Sequence, residues 1–451
     1  MTWSYIIKRL LLLPLTLVIV ILIAFFLKQS VPGDPVEAIL INRGLSLSDL
    51  DKKQADYERI YKESGLNLPV FYFSVQPAHY PASMHSILDR DERKLTKSLA
   101  KSGYQAEDIA AFLSFRKKII SARLDNTALT PDNPFLFEKR PDILYREIVK
   151  GQVSSSLFPT DFIGFLENMI RNKQTWLIPT FVWHGIDNQF HRYLAGIARL
   201  DFGHSVKDGK KVTAKIAVSF RWTLAMILPA MVILFGISIP LGLLTGRKEG
   251  GHLDKITEKV SVLLYAIPVF WLATMLIIFC TSDQYASWLN IFPAVGTWYD
   301  SGQEHFLTTM FRHGKQLILP VLCIVANDFA FLIKLIRENT IVQKKEMYVK
   351  VALSKGLDDY TILFRHILPN VGINIISVAA GMIPAAFAGS LIVEVIFNIP
   401  GMGRLLYNSI ESSDWNVVFG ILIILSALTI MANLLGDLLY ARLNPKIRYH
   451  G

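Results

Sequence analysis

The chain has 451 residues, of which 52% are hydrophobic and 19% are charged. A composition this apolar excludes a single soluble domain and is typical of a protein with several membrane spans. The net charge of +10 comes without a soluble segment that clusters basic and aromatic residues, which argues against a nucleic-acid binder.

The cysteine and histidine residues predict no metal centre. Cys280 and Cys323 both lie in apolar stretches, so neither a disulfide framework nor a Cys-based metal motif is expected. His79, His85 and His184 have neither an i,i+4 partner nor His-Glu-x-x-His spacing. We therefore predict no metal ligand and no catalytic residue.

The first predicted element is a membrane span. Lys8 and Arg9 precede an apolar run over about 10–27, which is long enough to cross a bilayer. The residues that follow make a poor signal-peptidase site, so the span is predicted to be uncleaved, with the N-terminus in the cytoplasm. Segment 1–27 is the first predicted unit.

Residues 28–221 are predicted to form one large extracytoplasmic region of mixed or helical structure, because no window in them is long and apolar enough to span a membrane. Apolar residues recur at a spacing near 3.6 between 107 and 124, which predicts a helix. No nucleophile, metal set or carboxylate pair with useful spacing occurs here. A membrane-anchored extracytoplasmic enzyme or sensor is therefore the less favoured alternative.

Residues 222–451 contain five more predicted spans, over about 222–245, 260–280, 317–336, 371–392 and 417–435. Pro268 predicts a kink in the third span. Trp288, Phe292, Trp298 and Tyr299 are expected at the membrane interface. The short basic segments after the second, fourth and sixth spans predict an all-α integral membrane protein with six transmembrane helices and both termini cytoplasmic.

A polar, lysine-rich stretch, residues 346–370, separates the fourth and fifth spans. Gly356 predicts a break between two short helices, of which the second is expected to end before Pro369. Ala352 lies four residues before Gly356, and Leu368 and Pro369 follow about a dozen residues after it. An ordinary basic cytoplasmic loop would also account for the charge.

This spacing resembles the coupling loop of ABC importer permeases. Lys350 and His366 depart from the general pattern but are similar to the peptide/nickel branch, as are the Lys355–Gly356 and Arg365–His366 pairs. The resemblance implies that this loop contacts an ATPase, and it nominates Lys350, Val351, Ala352, Leu353, Lys355, Gly356, Leu357, Leu368 and Pro369.

Further stretches resemble the same family in the expected order, at 32–35, 65–70, 191–205 and the C-terminal tail. Residues 76–188 look like an insertion that typical members lack. The nearest match is the run that contains Glu394, Pro400, Gly401, Gly403 and Arg404. We interpret these residues as a gate or docking surface, and a structural ion pair or helix cap is the alternative.

The resemblance implies a permease subunit of a dipeptide, oligopeptide or nickel ABC importer in the bacterial inner membrane. Its partners would be a second homologous permease, two ABC ATPases and an extracytoplasmic solute-binding protein. The chain has no Gly-x-x-x-x-Gly-Lys-Ser/Thr loop, so ATP and Mg²⁺ would bind the partner ATPases and this chain would bind no cofactor. An ion-coupled secondary transporter is the alternative, but no internal half-repeat is evident.

Asp328 lies near the middle of the predicted fourth span. A carboxylate there costs at least ~2.5 kcal/mol unless it faces a polar cavity or a partner. Two explanations stay open. Asp328 pairs with Asn374 or Lys334 to hold helices together, or it lies on the pathway and meets a cationic part of the solute.

Overall fold

The structure is a computed structural model that describes residues 3–42, 54–124, 140–150, 160–173, 178–282, 285, 287–293, 308 and 314–443. It divides into two compact units. Unit 1 contains Met1–Val31 and Arg199–Gly451, and unit 2 contains Pro32–Ala198. Trp298, Tyr299 and the C-terminal tail from 444 lie outside the described residues.

Helices make up most of both units. Up to residue 198 the elements are α1 (Trp3–Gln29), α2 (Pro35–Asn42), α3 (Gln54–Glu63), β1 (Phe73–Pro77), α4 (Arg90–Lys101), α5 (Ala106–Leu124), α6 (Pro141–Val149), α7 (Thr160–Arg171), β2 (Pro179–Trp183) and α8 (Gln189–Ala198). From residue 199 they are α9 (Val212–Arg247), α10 (His252–Ala266), α11 (Val269–Cys280), α12 (Gly314–Lys344), α13 (Met347–Ser354), α14 (Leu368–Ile396), α15 (Met402–Glu411) and α16 (Trp415–Leu443).

Unit 1 has the helices of an integral membrane protein. Among the described residues, five helices are long and apolar enough to cross a membrane, namely α1, α9, α12, α14 with the turns before it, and α16. The bent pair α10 and α11 brings the number to six if it is one span. This agrees with the predicted all-α membrane class.

The bend predicted at Pro268 in the third span is present, and it is sharp enough to divide this stretch into two helices. α10 ends at Ala266, α11 begins at Val269, and the two are bent by 94°. Proline disfavours a helical conformation in the residue before it and carries no N–H of its own. Ile267 is accordingly extended, and Pro268 becomes the N-cap of the second helix.

In unit 1, α9 packs closely along α12. A Cβ added to Gly242 would lie 2.7 Å from Ile336 Cβ, and one added to Gly246 would lie 2.6 Å from Thr340 Cβ. Only glycine permits this approach. The two glycines are four residues apart, which is the small-xxx-small spacing that brings membrane helices close together. The sequence analysis did not use this spacing.

A buried ion pair ties α10 to α12 in the same unit. The Arg337 guanidinium donates to Asp254 through Nε–Oδ1 at 2.5 Å and Nη2–Oδ2 at 2.8 Å, and Asp254 is 3% exposed. The Gly250 amide also donates to this carboxylate at 2.9 Å. The pair is bidentate and well satisfied, so it fixes the start of α10 against the end of α12.

Unit 2 is built from short helices and one two-stranded ribbon. A hydrophobic core joins α4, α5, α6 and α7 through Leu95, Leu99, Phe112, Leu144, Phe162 and Leu166. The helix predicted over 107–124 is confirmed as α5. β1 and β2 pair in antiparallel register, with Phe73 opposite Trp183 and Val75 opposite Phe181.

Candidate functional site

The stretch 346–370, which we call the hairpin, turns sharply at Gly356. α13 ends at Ser354, the Gly356 amide donates to the Leu353 carbonyl at 2.9 Å, and the Leu357 amide donates to the Ala352 carbonyl at 3.4 Å. These two bonds form a Schellman motif, which needs a left-handed residue, and Gly356 has φ +77°. Glycine is required here for its backbone conformation, because open space surrounds the position where a Cβ would lie.

A polar cap begins the second half of the hairpin. The Asp358 carboxylate accepts the Thr361 amide at 3.0 Å and the Thr361 hydroxyl at 2.6 Å. These hydrogen bonds hold the pKa of Asp358 below its usual range. The cap starts a short helix, Asp359–Thr361, which continues as a π turn over Ile362–Ile367.

The predicted helix end before Pro369 was wrong. The π turn runs directly into α14, and Pro369 lies in the first turn of that helix. Pro369 has no N–H to donate, so one helical hydrogen bond is missing where the π turn becomes α14. Leu368 packs partly buried against the membrane core, whereas Pro369 is exposed. The second half of the hairpin is therefore one continuous rod with α14.

One face of the hairpin packs into the hydrophobic core formed by the helices of unit 1. The apolar side chains on this face are at most 5% exposed and are Val349, Ala352, Ile362, Leu363 and Ile367. Ala352 was predicted as a contact residue for an ATPase, but its side chain points inward. Its small size lets α13 lie against the membrane helices.

The outer face of the hairpin is apolar and exposed. Its large side chains are between 36% and 70% exposed and are Met347, Val351, Leu353, Leu357, Tyr360 and Phe364. Lys350 and Lys355 are exposed beside them. Three of the predicted contact residues, Val351, Leu353 and Leu357, are among these exposed side chains. We call this set of six the outer patch.

Polar contacts hold the hairpin to the end of α9. Arg247 donates to the Asp359 carboxylate at 3.0 and 3.2 Å, and its guanidinium lies 4.3 Å from the centre of the Tyr360 ring. Lys344 donates to the Arg247 carbonyl at 2.7 Å. The sequence analysis did not find these contacts, since the partners lie 97 to 113 positions apart.

At the other end of α14, Glu394 is fully buried in a cluster of hydrogen bonds. Its carboxylate accepts the Thr223 hydroxyl at 2.7 Å, the Ser390 hydroxyl at 3.0 Å and the Arg404 amide at 3.0 Å. The Gly403 amide also donates to it. These amides begin α15, so Glu394 acts as the acceptor for a helix start on a separate segment. We call this group the Glu394 cluster.

The two glycines of this segment make room for the Glu394 cluster. A Cβ on Gly401 would overlap the Glu394 carboxylate, and one on Gly403 would lie 2.5 Å from the Leu391 Cα. The Arg404 side chain donates instead to the Asn398 carbonyl at 2.7 Å, so Glu394 and Arg404 meet through the backbone of Arg404. Glu394 therefore acts as a helix cap. It does not form the side-chain ion pair with Arg404 that was the other alternative.

A second polar cluster, which the sequence analysis missed, lies where α9 and α16 begin. Lys215 Nζ lies 3.0 Å from an Asp208 carboxylate oxygen, 3.0 Å from Ser205 Oγ and 3.7 Å from Asp414. Asp414 is 1% exposed, accepts the Ser205 hydroxyl and is the residue before α16. We call this group the Lys215 cluster.

Asp328 has neither of the partners predicted for it. It accepts a hydrogen bond from Asn327 at 2.8 Å. Asn374 donates to Asn339 at 2.7 Å, and Lys334 lies 4.0 Å from Glu338. The predicted pairing of Asp328 with Asn374 or Lys334 was therefore wrong. Asn374 instead bonds to Asn339 on α12, and Lys334 lies near Glu338, one turn further along its own helix.

Comparison with known proteins agrees with this architecture. Residues 238–449 match the family described as "Binding-protein-dependent transport system inner membrane component". The oligopeptide transport system permease protein AppB of Bacillus subtilis (strain 168) is 30% identical over 265 residues, which covers 58% of this chain and 80% of that protein. The chain belongs to this permease family.

Two further relatives are named for different solutes. A probable peptide ABC transporter permease protein, y4tP, of Sinorhizobium fredii is 29% identical over 261 residues, covering 58% of this chain and 80% of the relative. The putrescine export system permease protein SapB of Escherichia coli (strain K12) is 27% identical over 309 residues, with 64% and 92% covered. This permease is a multi-pass subunit of an ABC transporter in a bacterial inner membrane, and it is not itself an enzyme.

Proposed function

We propose that this permease forms, with a second homologous permease, the membrane path for peptides or similar small solutes in an ABC importer. Two partner ATPases would bind ATP and Mg²⁺ and hydrolyse the nucleotide, and an extracytoplasmic binding protein would deliver the solute. The names of the relatives AppB and y4tP support peptides as the solute class. This chain would bind no cofactor of its own.

The outer patch of the hairpin carries this proposal. An exposed apolar surface on a polar connecting segment marks a protein contact, because water would otherwise order around six large side chains. The residues on the opposite side of the same segment are buried in the membrane core. A partner that binds the outer patch would therefore transmit its movement to the hydrophobic core of unit 1, because the same segment is packed into that core.

The hairpin is suited to act as a rigid lever. Its second half is continuous with α14, and its first half follows α12 after a break at Lys345 and Glu346. Closure of the ATPase pair would move residues 348–370 as one body and swing α12 and α14 between outward and inward access. ATP binding and solute access would then bias the same two-state element, as coupling requires.

We further propose that the hairpin and both termini lie in the cytoplasm and that unit 2 lies outside. The basic segments at 247–255 and 344–355 support this orientation, since cytoplasmic loops are enriched in Lys and Arg. The insertion of about 76–188 would then extend the extracytoplasmic face. Our candidate for an outer gate is α15, which is held by the Glu394 cluster and contains the partly exposed Arg404, together with the partly exposed Pro400 just before it.

The path itself is proposed to run along α12 and α14. Each of these apolar helices leaves a polar face exposed, and the two faces meet where Asn374 donates to Asn339. The exposed polar side chains include Asn327, Lys334, Glu338, Asn374 and Ser377. Contact with lipid would leave these groups poorly hydrogen-bonded, so they fit a water-filled path or a second permease. Asp328, beside Asn327, would meet a cationic part of the solute.

Co-purification of the tagged, full-length permease tests the proposal. We expect wild-type permease to bring down a second permease and an ATPase. Leu353→Asp places a charge in the outer patch and should lose the ATPase while keeping the second permease. Leu353→Met conserves volume and apolarity and should keep both. Purification of a membrane complex that contains no ATPase would contradict the proposal.

A further inference from the structure

The ribbon of unit 2 exposes one entirely apolar face. Val75, Phe181 and Trp183 are 64–66% exposed and Phe73 is 42% exposed. The register puts them on one face, because Phe73 lies opposite Trp183 and Val75 lies opposite Phe181. The Phe73 and Phe181 rings stack with centroids 5.3 Å apart. We call these four side chains the ribbon face.

The ribbon differs from the rest of unit 2 in charge. Neither strand contains an Asp, Glu, Lys or Arg residue. By contrast, seven of the 12 residues of α4 are charged. A surface that docks a protein usually surrounds its apolar centre with polar and charged groups that select the partner. The ribbon lacks such groups along both strands, which favours an apolar medium over a protein.

The chain also connects both ends of unit 2 to membrane helices. Only Ser30 and Val31 separate α1, a membrane helix, from the first residue of unit 2. A short segment joins the last residue, Ala198, to α9, which is also long enough to span. Unit 2 is therefore tethered at both ends to membrane helices, within reach of the headgroup region.

We propose that the ribbon face is a lipid anchor that inserts at the membrane surface. Phe and Trp rings favour the boundary between headgroups and acyl chains, where their apolar bodies leave water while polar groups stay hydrated. The partly buried face of the ribbon carries Ser74, Gln76 and Thr180, which remain hydrogen-bonded within unit 2. The anchor would fix the orientation of unit 2 on the membrane, independently of the solute or of ATPase coupling.

Nitroxide labels in the full-length permease, reconstituted with its co-purifying subunits in phosphatidylethanolamine and phosphatidylglycerol nanodiscs, test this proposal. In a Cys280→Ser, Cys323→Ala background, labels are placed at Val75→Cys and Phe181→Cys. Lys97→Cys on α4 serves as the exposed control in the same unit, and Val232→Cys, 73% exposed on α9, as the membrane-helix control. Collision with oxygen reports lipid, and collision with a water-soluble nickel chelate reports water.

We expect both ribbon labels to shift towards oxygen and away from the nickel chelate, as for Val232, while the Lys97 label stays accessible to the chelate. Nickel accessibility at Val75 equal to that at Lys97 would overturn the proposal, since the ribbon face would then lie in water. Protection from both reagents would also overturn it, because the ribbon face would then be covered by a protein subunit.

Discussion

The two ends of α14 use polar and apolar side chains in opposite ways. At its start, the hairpin directs apolar residues outward in the outer patch, and its polar contacts with Arg247 lie at the surface. At its end, Glu394 directs a carboxylate inward, where four donors satisfy it. The comparison teaches that one family motif can mark an exposed surface while another, on the same helix, marks internal packing.

The largest expected effect is at the Glu394 cluster. Glu394→Ala leaves the Thr223 hydroxyl and the first amides of α15 buried without an acceptor, at about 1–3 kcal/mol for each orphaned group. We expect a large fall in the unfolding midpoint and in the amount of folded protein, measured by thermal unfolding in detergent. Glu394→Gln keeps one acceptor oxygen and should fall less. Equal stability of Glu394→Ala and wild type would remove the contrast between the two ends.

A second prediction separates fold from coupling at the hairpin. Leu353→Asp should leave the unfolding midpoint near that of wild type, because exposed substitutions usually change stability by about 0.5 kcal/mol or less. Its solute-stimulated ATP hydrolysis should be lost, because the partner surface now meets a charge. Gly401→Ala, which forces a Cβ into the Glu394 carboxylate, should show the reverse order of effects, with stability falling first.

A smaller effect on stability is expected when Gly356 is replaced by Ala or Asn. Gly356→Ala must hold a Cβ residue at φ +77°, which costs about 1 kcal/mol, and no neighbour obstructs the new methyl group. Gly356→Asn should cost less, because asparagine tolerates this conformation. Gly356→Pro cannot adopt it and should abolish transport-coupled ATP hydrolysis while the protein stays in the membrane. Normal transport by Gly356→Pro would contradict the lever.

The smallest expected effect is a pH dependence at the Lys215 cluster. Burial raises the pKa of Asp208, but hydrogen bonds from Lys215 and the Lys210 amide, together with the Lys215 charge, outweigh it, so the pKa lies below the usual Asp value. The carboxylate therefore contributes stability above the pKa of an unfolded Asp, about 4, and loses it as pH falls through the lower folded value. Asp208→Asn should melt below wild type at pH 7 and alongside it in strong acid.

The matched control for this pH series is Asp161→Asn, a change at an exposed position on α7. It should leave the difference from wild type small at every pH. A constant difference between Asp208→Asn and wild type down to strong acid would show that the ion pair with Lys215 does not carry the effect.

Local sequence signals predicted the apolar spans, α5 and the turn at Gly356, because each depends on a short window of residues. Contacts between distant positions were not predictable in this way. Glu394 meets Thr223 across 171 positions, and Lys215 meets Asp414 across 199 positions. The spacing of Gly242 and Gly246 did contain the signal for close packing on α12, and it was overlooked. Ala352 shows a further limit of sequence motifs. The motif identifies the residue but does not indicate whether its side chain faces the core or the surface.

Cysteine cross-linking of the hairpin tests the central claim most directly. In a background without native cysteines, Leu353→Cys lies in the outer patch, and Ala352→Cys, one position earlier, points into the core. In inner-membrane vesicles of cells that produce the whole transporter, Leu353→Cys should cross-link to an ATPase subunit, and Ala352→Cys should not. A Leu353→Cys that cross-links to no ATPase, or that reacts only with reagents added on the extracytoplasmic side, would contradict the coupling role of the hairpin.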